Sequence, residues 1–150
     1  MRGLELVVDG YNVILTVASA LEGLPVFLCD DGFVRDLRSS YLKDFGAPSV
    51  REALAHVVEA LRLVGASNTQ IVLDKNVSWS AEHAELLRFE YGLSAITAAK
   101  ADVAVMGSGR VVSSSDFMIL LRSERVYDLA QFILRNMVEG ARILELLPLV

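Results

Sequence analysis

Three short apolar runs in this chain stop at an aspartate. "LELVVD" ends at Asp9, "TQIVLD" at Asp74, and "VVSSSD" at Asp116. A fourth acid, Asp102, stands in "KADVAV" ahead of the last of these runs, and Asn12 follows closely on Asp9. An unpaired carboxylate is costly to bury, so these positions are strand ends or sites of chemistry. In a parallel sheet the carboxyl ends of the strands share one edge, where ligands of open α/β folds bind. Aspartates far apart in sequence would converge there. Carboxylates held together repel one another unless they hold protons or a metal, and hard oxygen donors suit Mg²⁺ or Mn²⁺. Such ions bind phosphates, activate water and stabilise the charge that grows as a phosphodiester is cleaved. The pattern points to a divalent-metal site whose first ligand is Asp9, with Asn12 placed to hold a carboxylate or a water.

Each of these residues also has an ordinary alternative role. An Asp after a strand is commonly a helix N-cap or a turn residue, and Asp9–Gly10 is a common turn pair. "SSSD" at Ser113 to Asp116 reads equally as a polar loop capping the next helix. Asp30, Asp31 and Asp36, in "CDDGFVRD", read as a loop and a helix start rather than as ligands of one ion. Ser78 and Ser80 read as caps before phosphate contacts. Trp79, the sole Trp, is either an exposed indole that can stack a base or a half-buried lid. His56 and His83 read as surface or satisfied core residues. Basic residues (Arg35, Arg38, Lys75, Arg110, Arg122 and Arg125 among them) are scattered and form no run.

The elements that must position these groups alternate. "LELVVD" is a buried strand, and "VILTVASALEG" continues as a helix stopped by Gly23. "PVFLCDDG" holds a second short strand, and "VRDLRSSYLKDFG" predicts an amphipathic helix closing at Gly46. "PSVREALAHVVEALRLVG" predicts a helix with Ser49 as N-cap, Glu52 completing a capping box, one apolar face of Ala53, Leu54, Val57, Val58 and Leu61, and Gly65 as its end. "TQIVLD" is the next strand, "KNVSWS" a loop, and Ser80 to Gly92 a helix with Ser80 as N-cap. "LSAIT" predicts a strand followed by a short helix, "GRVVSSSD" a strand ending at Asp116, and residues 117–140 a segment mostly helical at its end. "ARILELLPLV", Ala141 to Val150, closes the chain as an apolar tail. Alternating strands and helices imply an α/β fold with a mostly parallel sheet covered on both faces.

The 150 residues suit a single domain, 1–150, with no linker or repeat. A hydrophobic content of 53% predicts a large core and an apolar surface shared with a partner, so a homodimer is expected. No apolar run reaches the roughly 18 residues of a membrane span, and acidic residues interrupt the first run, which is a poor signal peptide. A cytoplasmic protein with no membrane partner is the default expectation. The single Cys29 and the two histidines exclude an internal disulfide and a Cys- or His-rich zinc site. A net charge of −5 gives no overall attraction to nucleic acid.

"VVDGYNVI" resembles the first strand of PIN-like nuclease domains, in particular the NYN branch, which opens with Asp-Gly-x-Asn. "KADVAV" followed by "VVSSSDFMIL" resembles the later pair of that branch, and order and spacing fit from about Leu4 to Leu121. With "DDGFVRD" and "LDKNVSWS", the whole is similar to an uncharacterised, mainly archaeal, group of PIN-like proteins known only as a domain of unknown function. The resemblance implies a three-layer α/β/α PIN-like fold and a Mg²⁺- or Mn²⁺-dependent endoribonuclease that hydrolyses RNA by metal-activated water. It implies Asp9 as first acid, Asn12 as its companion, Asp102 and Asp116 as late acids, and Asp74 as a strand-end acid that some relatives carry. "SSSD" departs from that branch in lacking Gly before its last Asp. The mid-chain acid of PIN nucleases has Asp31, Asp36 or Glu52 as its candidates here. A non-catalytic PIN-like binding or scaffold module acting as a homodimer is the rival expectation. A phosphatase using an aspartate nucleophile fits poorly, because Tyr11 stands where its second Asp belongs.

Overall fold

The first strand, β1 (Glu5–Asp9), is fully enclosed at its centre. Leu6, Val7 and Val8 are all at 0% exposure, the mark of a strand covered on both faces. The computed structural model describes residues 5–36, 45–66, 68–100, 104–105 and 110–145. Along the chain, β1 is followed by α1 (Gly10–Leu21), β2 (Val26–Leu28), β3 (Val34–Arg35), α2 (Pro48–Val64), β4 (Asn68–Asp74), α3 (Ser80–Phe89) and β5 (Ser94–Ala98). Then come β6 (Val111–Ser113), α4 (Phe117–Arg122), α5 (Leu129–Asn136) and β7 (Ile143–Glu145).

Among the described residues the main sheet has the order β5-β4-β1-β6, and each neighbouring pair is parallel. Side chains alternate across it. Leu6, Val8, Ile71, Leu73, Ala95 and Val111 join one core with α1, α2, α3 and α5, while Val7, Val72 and Val112 join a smaller one with Ile119 of α4 and with Val105. The result is a mixed α/β fold whose parallel sheet lies between helical layers, thick on one face and thin on the other. A second sheet, β3-β2-β7, pairs β2 antiparallel with β3 and parallel with β7. It packs Val26, Val34 and Ile143 against Ala20 of α1 and Leu134 of α5.

Several expected boundaries change. The helix expected from Val34 begins instead as β3, because Phe27 and Leu28 offer a strand to pair with; residues 37–44 lie outside the described set. Ser49 is not an N-cap. Helix α2 starts at Pro48 after Ala47, with no side-chain cap, since proline presets the first helical residue and lacks only a donor that would go unused. The Ser49 Oγ instead donates to Glu22 Oε1 at 3.0 Å. Gly65 does close α2, in the left-handed conformation. Ser80 is likewise inside α3 rather than capping it; Trp79 holds the cap position, and Ser80 Oγ donates to Lys75 O at 3.2 Å. Strand β6 ends at Ser113, three residues short of Asp116. The expected apolar tail is partly a strand: Ala141 and Ile143 are half-buried against the small core, and residues 146–150 lie outside the described set. No helix among the described residues is long and apolar enough to cross a membrane.

Candidate functional site

The carboxyl edge of the main sheet gathers most of the residues singled out by sequence. Register pairs Val8 with Ser113 across β1 and β6, which brings Ser114 beside Asp9. Ser114 Oγ donates to Asp9 Oδ2 at 2.8 Å and accepts from Asp116 N at 3.1 Å. Asn12, one turn into α1, accepts at its Oδ1 from Ser115 N (3.0 Å) and from Ser115 Oγ (3.2 Å). Residues more than a hundred positions apart are thereby pinned together, and both serines are buried. Alternation places Asp9, Ser114 and Asp74 on the thinly covered face, in line with Val7, Val112 and Val72.

Gly10 makes the approach of α1 to the sheet possible. A Cβ there would lie 2.6 Å from Leu73 Cδ2, 2.8 Å from Ile71 Cγ2 and 3.1 Å from Val72 O. Its φ is not positive, and in place of the alternative Asp-Gly turn the chain passes directly from strand to helix, which only a residue without a side chain fits. Asp9 stands at the N-cap position of α1, yet its side chain makes no cap hydrogen bond. Asp116, by contrast, does cap: its Oδ1 accepts from Met118 N (2.9 Å) and Ile119 N (3.2 Å) at the start of α4. Asp74 accepts from Asn76 N at 2.8 Å in a tight turn. Asp9 pairs with Val72, so Asp74 is two residues farther along the neighbouring strand, about 8 Å from Asp9 in Cα position by ordinary strand spacing and rise. Asp102 lies outside the described residues.

The small sheet delivers further groups. Arg35 Nε donates to Ser115 O at 2.8 Å, while its two terminal nitrogens grip Asp31 at 3.0 and 2.7 Å. These hydrogen bonds to Asp31 raise the guanidinium above its ordinary value and hold the carboxyl of Asp31 below its own. Asp36, half-buried, accepts at Oδ1 from Thr16 Oγ1 at 3.0 Å, and that hydroxyl also lies 3.0 Å from Asn12 O. Of the three mid-chain candidates, Asp36 is joined to the site through Thr16 and Asn12, and Asp31 through Arg35 and Ser115. Glu52 is exposed on α2, 3.8 Å from His56. On the opposite face, Tyr11 OH is hydrogen-bonded to His83 Nδ1 at 2.7 Å, and the His83 ring stacks on Phe45 at 3.9 Å. Burial, and secondarily Asp74, pushes the Tyr11 phenol well above its ordinary value. His83 is thus a satisfied core residue, and Trp79 is 65% exposed.

Ser114, Ser115, Thr16 and Arg35 were not singled out as site residues by sequence. The only sequence signal for the serines was that the polar run "SSSD" directly follows an apolar strand. Among the described residues no group of three or more His, Cys, Asp or Glu is arranged to hold a metal. Mg²⁺, however, keeps several waters and is commonly bound through one or two carboxylates plus substrate phosphate. The hard oxygens of Asp9, Ser114, Asn12 and Asp36 are of the type it takes.

Residues 1–132 match a family model described as "Domain of unknown function (DUF5616)". No curated protein and no solved structure matches the chain.

Proposed function

We propose that this chain, which belongs to the DUF5616 family, is a Mg²⁺- or Mn²⁺-dependent nuclease of PIN-like type acting on RNA. The observation that carries this reading is the hydrogen-bonded edge: Asp9 held by Ser114, and Asn12 held by Ser115, at the carboxyl ends of β1 and β6. The half-buried Asp9 carboxylate makes no cap hydrogen bond to α1 and is held by Ser114 at the sheet edge, which suits a metal ligand. Asp9 and Asp116 would hold the ion, with Asp74, Asp102 and Asp36 as further acids around it. A bound ion supplies positive charge for the scissile phosphate and a more acidic water. Ser114 fixes the rotamer of Asp9 and ties it to the turn that carries Asp116. Asn12 and Arg35 clamp Ser115 from two sides, which keeps that turn from drifting.

Calorimetry of Mn²⁺ and Mg²⁺ near neutral pH tests the reading, comparing the wild type with Asp9→Asn and Asp116→Asn. Binding that weakens tenfold or more in both variants, about 1.4 kcal/mol, supports one shared site, and loss of RNA cleavage in Asp9→Asn supports the nuclease. A wild type that binds neither ion defeats the reading. The rival is a binding or scaffold module acting as a homodimer, and it is favoured by exposed apolar side chains such as Leu63, Phe89 and Leu121. A monomer by sedimentation at micromolar concentration counts against that rival.

A further inference from the structure

Strands β4 and β6 flank β1, and each is followed at its carboxyl end by an exposed aromatic. Trp79, 65% exposed, lies five residues beyond Asp74; Phe117, 63% exposed, directly follows Asp116. Trp79 is the one non-glycine residue with positive φ among those described, at 68°. A bulky side chain in that conformation is strained, and such strain persists where the surroundings enforce it, often at ligand sites. The enforcing contacts are visible: Val77 N donates to Asp74 O (3.1 Å), Ser80 N to Val77 O (3.1 Å) and Ser80 Oγ to Lys75 O. The strained turn does not bury the indole. It holds it in solvent beside the acid-lined edge.

Two cations share that edge. Lys75 follows Asp74, and Lys100 follows β5 by two residues; both are exposed. Their loops are fastened together by Lys75 N donating to Ala98 O (2.9 Å) and Asn76 Nδ2 to Ala99 O (3.0 Å). The chain has three lysines, and the third, Lys43, is outside the described residues. Two lysines thus lie on the loops that follow β4 and β5, the first of them four residues before Trp79. Phe117 stands on the other side of β1, with the exposed Met118 beside it on α4.

We propose that Trp79 and Phe117 are base-stacking platforms on either side of the Asp9 site, and that their ligand is a single-stranded nucleic acid whose phosphates pass Lys75 and Lys100. The proposal rests on the phosphodiester-cleaving reading of the site. Stacking on an aromatic ring tolerates any base but needs its face unpaired. Trp79 leads into α3 after β4 and Phe117 opens α4 after β6, on either side of β1, so they take two different bases of one strand, with the backbone between them passing the Asp9 edge. A duplex, with its faces already stacked, has nothing to offer either ring.

Trp79 is the sole tryptophan, so it reports its own occupancy. The experiment is a titration of the full chain with a twelve-nucleotide oligouridylate in EDTA, read by tryptophan fluorescence and, with a labelled strand, by anisotropy. The expected result is saturable quenching by the single strand and none by a duplex of equal length. Phe117→Ala and Trp79→Ala each weaken binding about tenfold, and Trp79→Phe restores most of it. Lys75→Ala and Lys100→Ala each lower the salt slope by about 0.7. Binding of the duplex as tight as of the single strand, unchanged affinity in Phe117→Ala, or no binding of the strand by either readout overturns the proposal. Single-strand binding in EDTA by a protein that takes up no divalent metal keeps the platforms and removes the nuclease. Cleavage indifferent to both rings keeps the nuclease and removes the platforms.

Discussion

Ser114 is the joint of the candidate site, and its hydroxyl can be removed without touching an acid. Its Oγ donates to Asp9 and accepts from the backbone of Asp116. A hydrogen bond to a charged group contributes about 1.5–3 kcal/mol net. Asp9 is half-buried rather than enclosed, and the Asp116 N–H belongs to an exposed residue that water can reach. The low end of the range applies, so Ser114→Ala should cost about 1.5–2 kcal/mol. For a chain of this length that lowers Tm by roughly 3–8 °C. The assay is a double-mutant cycle in urea: wild type, Ser114→Ala, Asp9→Ala and the double variant. If the hydroxyl fixes Asp9, the second substitution costs less in the background of the first, with a coupling of about 1 kcal/mol or more. Additivity within about 0.5 kcal/mol, the behaviour of independent sites, would refute the idea that Ser114 holds Asp9 in place. The same variant carries a functional reading. It should bind Mn²⁺ several-fold more weakly than the wild type, although every carboxylate is present.

Three further outcomes follow from the geometry. Gly10→Ala should destabilise by about 1–3 kcal/mol, seen as a lower urea midpoint at unchanged m-value, because the nearest obstacles include the Val72 carbonyl, which cannot rotate away. Asp31→Asn should show a pH-dependent deficit. The carboxyl of Asp31 is held below its ordinary 3.8 by the Arg35 hydrogen bond, so its contribution is present above that value and lost as pH falls through the folded one. The variant and the wild type should differ by at most about 1 kcal/mol above roughly pH 5 and converge in acid; a gap that widens in acid contradicts this. Tyr11→Phe should cost about 1–3 kcal/mol at neutral pH through the lost bond to His83. It should also flatten the alkaline limb of stability. The Tyr11 phenol is raised above 10.0 by burial and then by Asp74, so an unfolded chain ionises first and the wild type loses stability as pH rises beyond that value.

The parallel sheet was legible because its strands are apolar runs ended by Asp, and runs of Val and Leu without alternation mark strands covered on both faces. Val34–Arg35 was misread because two residues carry no period; only pairing with Phe27 and Leu28 makes them a strand. The start of α2 was misread because Ser49 and Glu52 satisfy the capping-box pattern while Pro48, one residue earlier, sets the helix first. The strand-end aspartates gave one signal for several roles. Asp116 caps a helix, Asp74 accepts in a turn, and Asp9 stands at an N-cap position without a cap hydrogen bond. What separates them is the partners of each side chain, and for Asp9 these include Ser114, 105 residues away, beyond the reach of any local pattern.

Asp9, Gly10, Tyr11 and Asn12 show why the motif is compact in sequence yet serves two faces. The passage from strand to helix turns the chain by about 100° per residue once the helix begins, so neighbours diverge. Gly10 meets Ile71 and Leu73 on the thick face, and Tyr11 sinks beside them to His83 and Phe45. Asp9 keeps the strand's alternation and stays with Val7 on the thin face. Asn12 reaches Ser115 past the sheet edge. The two core residues fix the position of α1, and only a fixed α1 keeps Asn12 and Asp9 at a constant separation from Ser114 and Ser115. A loss of packing at Tyr11 should therefore appear at the site as well as in stability. Tyr11→Phe, which keeps the ring and loses the hydroxyl, should leave Mn²⁺ affinity within about twofold of the wild type, whereas Tyr11→Ala, which opens a cavity costing about 3–5 kcal/mol, should weaken it well beyond that at a temperature where both remain folded. Equal affinity in the two variants would mean that α1 is positioned by Gly10 and the remaining apolar face alone.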